Sequence, residues 1–157
     1  MSDSTAADTL APERVARWLG YGGLLPFASA AALVALLPAG EWQTLAARVL
    51  LAYGAVILSF LGGIVWGLTL RQVGLAPRLA AREFVYSVCP SLLGWAALLM
   101  PLRGGAGLLA ACVCAAYVHD ALLARHHALP RWFLSLRLQL SLGAVSALSL
   151  AAVYGPR

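Results

Sequence analysis

His119 and Asp120 stand side by side in an otherwise apolar stretch, CAAYVHDALLARHH (residues 114–127), which two more histidines, His126 and His127, close. A carboxylate, imidazoles and nearby arginines could bind a metal ion, move a proton or hold a ligand. The spacing argues against a metal. On a continuous helix His119 and His126 share a face but lie two turns apart, roughly 10 Å along the axis. Both cannot then reach one ion at about 2 Å. His126 and His127 are expected in an interfacial connector, next to Arg125 and Pro130. No Ser-His-Asp set, carboxylate pair or HExxH string accompanies them, so the residues make no case for an enzyme, a cofactor or a metal centre.

Asp120 is the most informative single residue. It sits at the C-terminal end of an apolar run, where the helix dipole disfavours negative charge. Burial at the edge of hydrocarbon is costly for a carboxylate without a partner. Arg125 is too far round the helix to serve, which leaves Arg82 or Arg137 on an adjacent helix. A structural ion pair is the default role for such a residue; a proton or ligand contact is the functional alternative.

The elements that must position these groups follow from composition. Hydrophobic residues make up 62% of the chain and charged residues 11%, against roughly 25% charged in an ordinary soluble domain. A hydrocarbon core of about 30 Å needs about 20 apolar residues per helix. Five stretches meet or approach this: Trp18–Leu37, Val49–Leu70, Phe84–Met100, Gly104–Leu123 and Leu138–Tyr154. The expected fold is an all-α, polytopic membrane helical bundle with five transmembrane helices. Residues 1–11, small, polar and acidic, are expected to be a disordered tail, and residues 12–157 a single membrane domain. Little of the 157 residues is left over, so no separate soluble catalytic or nucleic-acid-binding domain is expected among them.

All eleven basic residues are arginine. Eight lie in the tail and the second and fourth connectors: Arg14, Arg17, Arg71, Arg78, Arg82, Arg125, Arg131 and Arg137. Arg48, Arg103 and Arg157 lie on the other side. The positive-inside rule then predicts a cytoplasmic N-terminus and a C-terminus outside. The net charge of +5 reads as an orienting collar near anionic lipid, with no nucleic acid implied. Arg14 and Arg17 before an apolar run, with Ala28-Ser29-Ala30 inside it, resemble a signal peptide. Pro26 and the apolar continuation to Leu37 point instead to an uncleaved span. Cys89, Cys112 and Cys114 all fall within spans and are expected to be buried small residues without disulfides.

The irregular features gather at one depth. Pro26 and Pro90 interrupt the first and third spans, leaving the Gly22 and Tyr86 carbonyls without their helical donors. Ser87 and Ser91 are at hand near the second break. With the predicted orientation, these prolines, Trp66, Tyr86, His119, Asp120 and Arg137 all fall in the cytoplasmic half. Trp66, Tyr86, Pro90, His119, Asp120 and Arg137 form the candidate binding or ion-pair site. The third and fourth spans are expected to form a hairpin joined by Leu102 to Gly104.

One more motif looks chemical and is not. FLGGIVWG (residues 60–67) has the glycine density of a phosphate loop, but no strand precedes it and no lysine follows. Counting by fours gives Ala55, Ser59, Gly63 and Gly67, a ridge of small side chains suited to close helix contact in lipid. Gly62 lies about 100° round the helix, so the double glycine thins two faces.

The strings YGAVILSFLGGIVWGL (53–68), LGYGGLLPF (19–27), SVCPSLLGWAALLMP (87–101) and DALLARHHALPRWFLSLRLQL (120–140) resemble segments of a known family. That family consists of small polytopic inner-membrane proteins of unknown function, with bacterial members and a mitochondrial transmembrane relative. The resemblance implies a compact helical protein of the bacterial inner membrane and brings no reaction or cofactor with it. The family often carries His or Arg before the tryptophan; here Val65 stands there.

Three function classes follow. The favoured one is a non-catalytic accessory, assembly or scaffolding component of a membrane complex, with membrane lipids and other membrane-protein subunits as partners. The second is a small transporter or lipid- or quinone-binding protein, whose proline-broken helices would line a site for a small apolar ligand. An intramembrane enzyme is the third.

Overall fold

The computed structural model describes residues 12–72, 74–126 and 131–156. Six helices account for almost all of them: α1 (Pro12–Gly22), α2 (Leu24–Leu36), α3 (Glu41–Arg71), α4 (Pro77–Leu98), α5 (Leu102–His126) and α6 (Arg131–Tyr154). The expected disordered tail lies outside the described residues, as does His127. His126 belongs to the last turn of α5, not to a connector.

Pro12 opens α1, a position where its missing N–H costs nothing, and Glu13 follows in the positive first turn. The interruption expected at Pro26 appears three residues earlier, at Gly23. Proline cannot supply an N–H to the Gly22 carbonyl, and its ring crowds that turn. The next carbonyl, that of Gly23, accepts a hydrogen bond from the Tyr53 hydroxyl at 2.8 Å, and Tyr53 also meets Phe27 edge-on with ring centroids 4.9 Å apart. A phenol on α3 thus stabilises the broken turn that Pro26 creates.

Pro12–Leu36, Glu41–Arg71, Leu102–Ala124 and Trp132–Tyr154 are long and apolar enough to cross a membrane. The third expected span is not among these four. It belongs to α4, whose first turns carry Arg78, Arg82 and Glu83 and whose middle carries Tyr86, Ser87, Pro90 and Ser91. The polarity that makes this helix interesting is what lowers its apolar content. The hairpin before α5 is also displaced: Leu102 is already helical, so Leu99, Met100 and Pro101 make the turn.

Contacts between elements fix their directions. Tyr53 meets Gly23, and Gln43 meets Val34, so α3 runs back along α2. Ala55 abuts Gly94, Gly62 abuts Ser87, and Trp66 touches Phe84, so α4 runs back along α3. Gly105 faces Ala97 and His119 faces Glu83, so α5 reverses again. Leu24 lies over Gly143 and Val34 over Gly155, which makes α6 parallel to α2. Each long element therefore opposes the one before it. Leu50, Leu58, Leu109, Leu148 and Val34 are the largest fully buried side chains and fill the space between α2, α3, α5 and α6.

The α3–α4 seam corrects the expected glycine ridge. A Cβ added at Gly63 or Gly67 would meet nothing within 4 Å, and both residues face outward. A Cβ at Gly62 would strike the Ser87 carbonyl oxygen, with the Pro90 ring 3.5 Å away. Two turns earlier, a Cβ added at Gly94 would lie 3.3 Å from Ala55. Positions 55 and 62 are seven apart, the spacing that keeps a packed seam on one face, whereas a strict count by fours drifts off it. Ser59 turns its hydroxyl back to the Ala55 carbonyl at 2.9 Å.

Candidate functional site

The functional groups collect where α4 begins, α5 ends and α6 begins. Asp120 is one residue beyond His119, and consecutive helical positions point about 100° apart. His119 therefore turns toward α4 and Asp120 toward α6. On α6, Arg137 lies far enough past the start of the helix to face inward. Its Nε donates to Asp120 Oδ2 at 2.7 Å, with the side chains 9% and 14% exposed. Arg82, the other expected partner, is exposed on the outside of α4.

A second pair forms alongside. His119 Nε2 lies 3.0 Å from Glu83 Oε2, and these side chains are 16% and 12% exposed. The Tyr86 ring stacks on the imidazole with centroids 3.7 Å apart and planes 12° from parallel. Tyr86 is also within electrostatic range of Asp120, Glu83 and Arg137. One helical turn separates Glu83 from Ser87, so α4 presents carboxylate, phenol and hydroxyl toward its neighbours in quick succession. The Ser87 hydroxyl donates to the Phe84 carbonyl at 2.6 Å. His119 Nδ1 is buried and makes no hydrogen bond among the described residues. An imidazole with one nitrogen on a carboxylate and its face covered by a phenol is held in a single orientation.

Of the six candidate residues, Tyr86, His119, Asp120 and Arg137 come together. Pro90 does not join them: it is buried one turn deeper, against Gly62. Trp66 is 45% exposed and packs edge-on against Phe84 on the outside of the bundle. Glu83 escaped the sequence reading because the apolar run begins one residue later, so it read as part of a charged flank with Arg82. Among the described residues no group of three or more His, Cys, Asp or Glu side chains is placed to hold a metal ion. Cys89 and Cys114 face outward and only Cys112 is partly buried, contrary to the expectation that all three are interior. Val65 is buried on the inner face of α3, and with Thr69, Glu83 and Leu123 it lines a cavity of about 280 Å³.

The opposite end of the bundle has its own polar device, which the sequence did not advertise. Gln43, buried near the start of α3, donates from Nε2 to the Val34 carbonyl at 3.0 Å and to the Tyr154 carbonyl at 3.1 Å. Those carbonyls belong to the last turns of α2 and α6, where no helical N–H follows to satisfy them.

Comparison with known proteins places this architecture. The chain is 36% identical over 135 residues to Transmembrane protein 69 of Xenopus tropicalis, covering 85% of this chain and 51% of the relative. It is 30% identical over 136 residues to Transmembrane protein 69 of Mus musculus, covering 86% and 54%. It thus spans about half the length of the curated relatives it matches. No solved structure matches significantly. The family model described as "Protein of unknown function (DUF3429)" matches residues 12–153. The chain belongs to that family, as a helical, multi-pass transmembrane protein.

Proposed function

We propose that the protein is a non-catalytic accessory, assembly or scaffolding component of a membrane complex, resident in a bacterial inner membrane. The observation that carries this reading is the internal pairing of its charge. Glu83 with His119 and Asp120 with Arg137 are each other's partners across helix boundaries. Charges engaged in this way hold helices together, and Glu83 and Asp120 each have a partner on a neighbouring helix.

In this reading five elements cross the membrane, α1 and α2 together making the first. The outward face of α4, with Val85, Val88, Leu92 and Trp95 exposed, suits lipid and supports counting α4 as a crossing despite its polar start. An odd number of alternating crossings puts the termini on opposite sides, and the arginine distribution puts the N-terminus in the cytoplasm. Gly63 and Gly67, absent from the internal seam, leave a shallow outward strip on α3 where a partner helix could approach closely.

Native purification in mild detergent tests the reading. The chain is expected to co-purify within a larger complex, and Gly63→Leu with Gly67→Leu should release it from that complex while the isolated bundle stays folded. A wild-type chain that migrates alone from freshly solubilised membranes overturns the proposal.

A further inference from the structure

The end of the bundle where α3 and α5 begin carries a groove of about 750 Å³, set among α3, the end of α4, the turn that follows and the start of α5. Gly105 draws these elements together: a Cβ there would strike the Ala97 carbonyl oxygen and lie 3.3 Å from Leu51. Arg48 and Arg103 both line the groove, and no acidic side chain among the described residues does. Leu51, Ala52 and Leu98 form its apolar part.

The two arginines share a definite depth. After Arg48 no charged residue occurs before Arg71, and after Arg103 none before Asp120. Each guanidinium therefore belongs to the boundary between headgroups and hydrocarbon, with Leu51 and Ala52 one turn deeper along α3. Arg17 and Arg137 are each paired with a carboxylate. Arg48 and Arg103 make no hydrogen bond or ion pair among the described residues. Glu41, the one acidic residue of α3, lines an adjoining hollow with Arg48 without pairing with it. Arg103 is the second residue of α5, at the positive end of that helix, where a cation is disfavoured. Two uncompensated cations on one groove, one of them at a positive helix end, are a placement that packing does not require and that an anion relieves.

We propose that this groove binds a glycerophospholipid of net negative charge, its phosphate held by Arg48 and Arg103 and an acyl chain lying along Leu51, Ala52 and Leu98. The planar fork of a guanidinium matches phosphate oxygens. A zwitterionic headgroup would bring its ammonium beside two cations, with no carboxylate in the groove to receive it. That selects phosphatidylglycerol over phosphatidylethanolamine. A free phosphate would leave the apolar part of the groove uncovered, whereas an acyl chain covers it. The site lies at the opposite end of the bundle from Asp120 and Arg137, and it is independent of whether the protein serves a larger complex.

The test is native mass spectrometry of the isolated full chain in detergent, with equimolar phosphatidylglycerol and phosphatidylethanolamine of matched acyl chains added as probes. The wild-type chain is expected to retain one phosphatidylglycerol in preference to phosphatidylethanolamine. Arg48→Gln and Arg103→Gln should each weaken that retention about fivefold, the weight of one arginine beside an anionic lipid surface. Arg78→Gln removes the same charge from an exposed position at the start of α4 and should leave retention unchanged. Excess inorganic phosphate should not displace the lipid. A wild-type chain that retains no lipid or holds both lipids equally overturns the proposal, as does full retention by either groove variant or an equal loss in Arg78→Gln. Displacement by inorganic phosphate also overturns it, because the arginines would then serve a free anion. All three arginines are exposed, so the substitutions leave the packed core intact, and the wild-type selectivity decides even without them. Because the measurement uses the isolated chain, loss of a partner complex cannot imitate any of these results.

Discussion

Arg137 and Asp120 lie 17 positions apart in sequence and 2.7 Å apart in space, joining the start of α6 to the end of α5 while both are largely shielded. Removing one partner from such a pair strands a charge in a poor solvent, which costs on the order of 3 kcal/mol. Asp120→Leu alone and Arg137→Met alone should each lower the thermal midpoint of the detergent-solubilised protein sharply. Combining the two removes both charges, and packed apolar side chains often replace a buried pair without net loss. The double variant is therefore expected to regain most of the stability. Equal damage in single and double variants would mean that the pair contributes more than charge balance.

The Gly62 and Gly63 pair makes a sharper comparison, because adjacent residues of one type have opposite surroundings. At Gly62 a methyl group meets the backbone of Ser87, which cannot move aside cheaply. Overpacking of this kind costs about 1–3 kcal/mol, so Gly62→Ala should destabilise the bundle and loosen the α3–α4 contact. At Gly63 the methyl meets nothing within 4 Å, and alanine is the better helix former by about 1 kcal/mol. Gly63→Ala is expected to be neutral or stabilising in thermal unfolding. The reverse ranking would contradict the seam.

What the sequence could and could not reveal follows from the same two residues. Runs without charge reveal helices directly, because the hydrocarbon imposes a minimum length, but not their starts: α3, α4 and α6 begin at Glu41, Pro77 and Arg131, seven or eight residues before their runs. Which face of a helix meets its neighbour is not encoded that way. In lipid both faces are apolar, so Gly62 and Gly63 look alike until the partner is placed. Asp120 was legible because a carboxylate in an apolar run demands a partner, but choosing Arg137 over Arg82 needed the third dimension. Glu83 was hidden by its charged flank, and Gln43 by its neutrality.

Glu83 and His119 test whether the second pair is as structural as the first. Glu83→Gln keeps an acceptor for an imidazole N–H, and the stacked Tyr86 remains in place. This variant should cost only about 1 kcal/mol, the scale of one hydrogen bond made less polar. His119→Leu removes both the hydrogen bond and the stacking surface, and leaves Glu83 without its partner. Its loss should be at least twice as large in the same unfolding assay. If Glu83→Gln instead leaves stability untouched but abolishes a cellular phenotype, the pair has a role in function beyond packing.

At the other end of the bundle, Gln43 offers a test of how polar atoms stabilise helix ends in this chain. One amide nitrogen donates to carbonyls from two separate helices, Val34 on α2 and Tyr154 on α6. Gln43→Leu fits a similar volume but removes both bonds, leaving two terminal carbonyls with no donor in a largely dry environment. At about 1 kcal/mol per bond, the expected loss is on the order of 2 kcal/mol. The loss should also be local in character. Hydrogen exchange at the last turns of α2 and α6 should accelerate together, while amides around Asp120 and Arg137 keep their protection. Faster exchange in only one of the two helices would show that the amide serves a single carbonyl, and would assign the other end of the contact to packing alone.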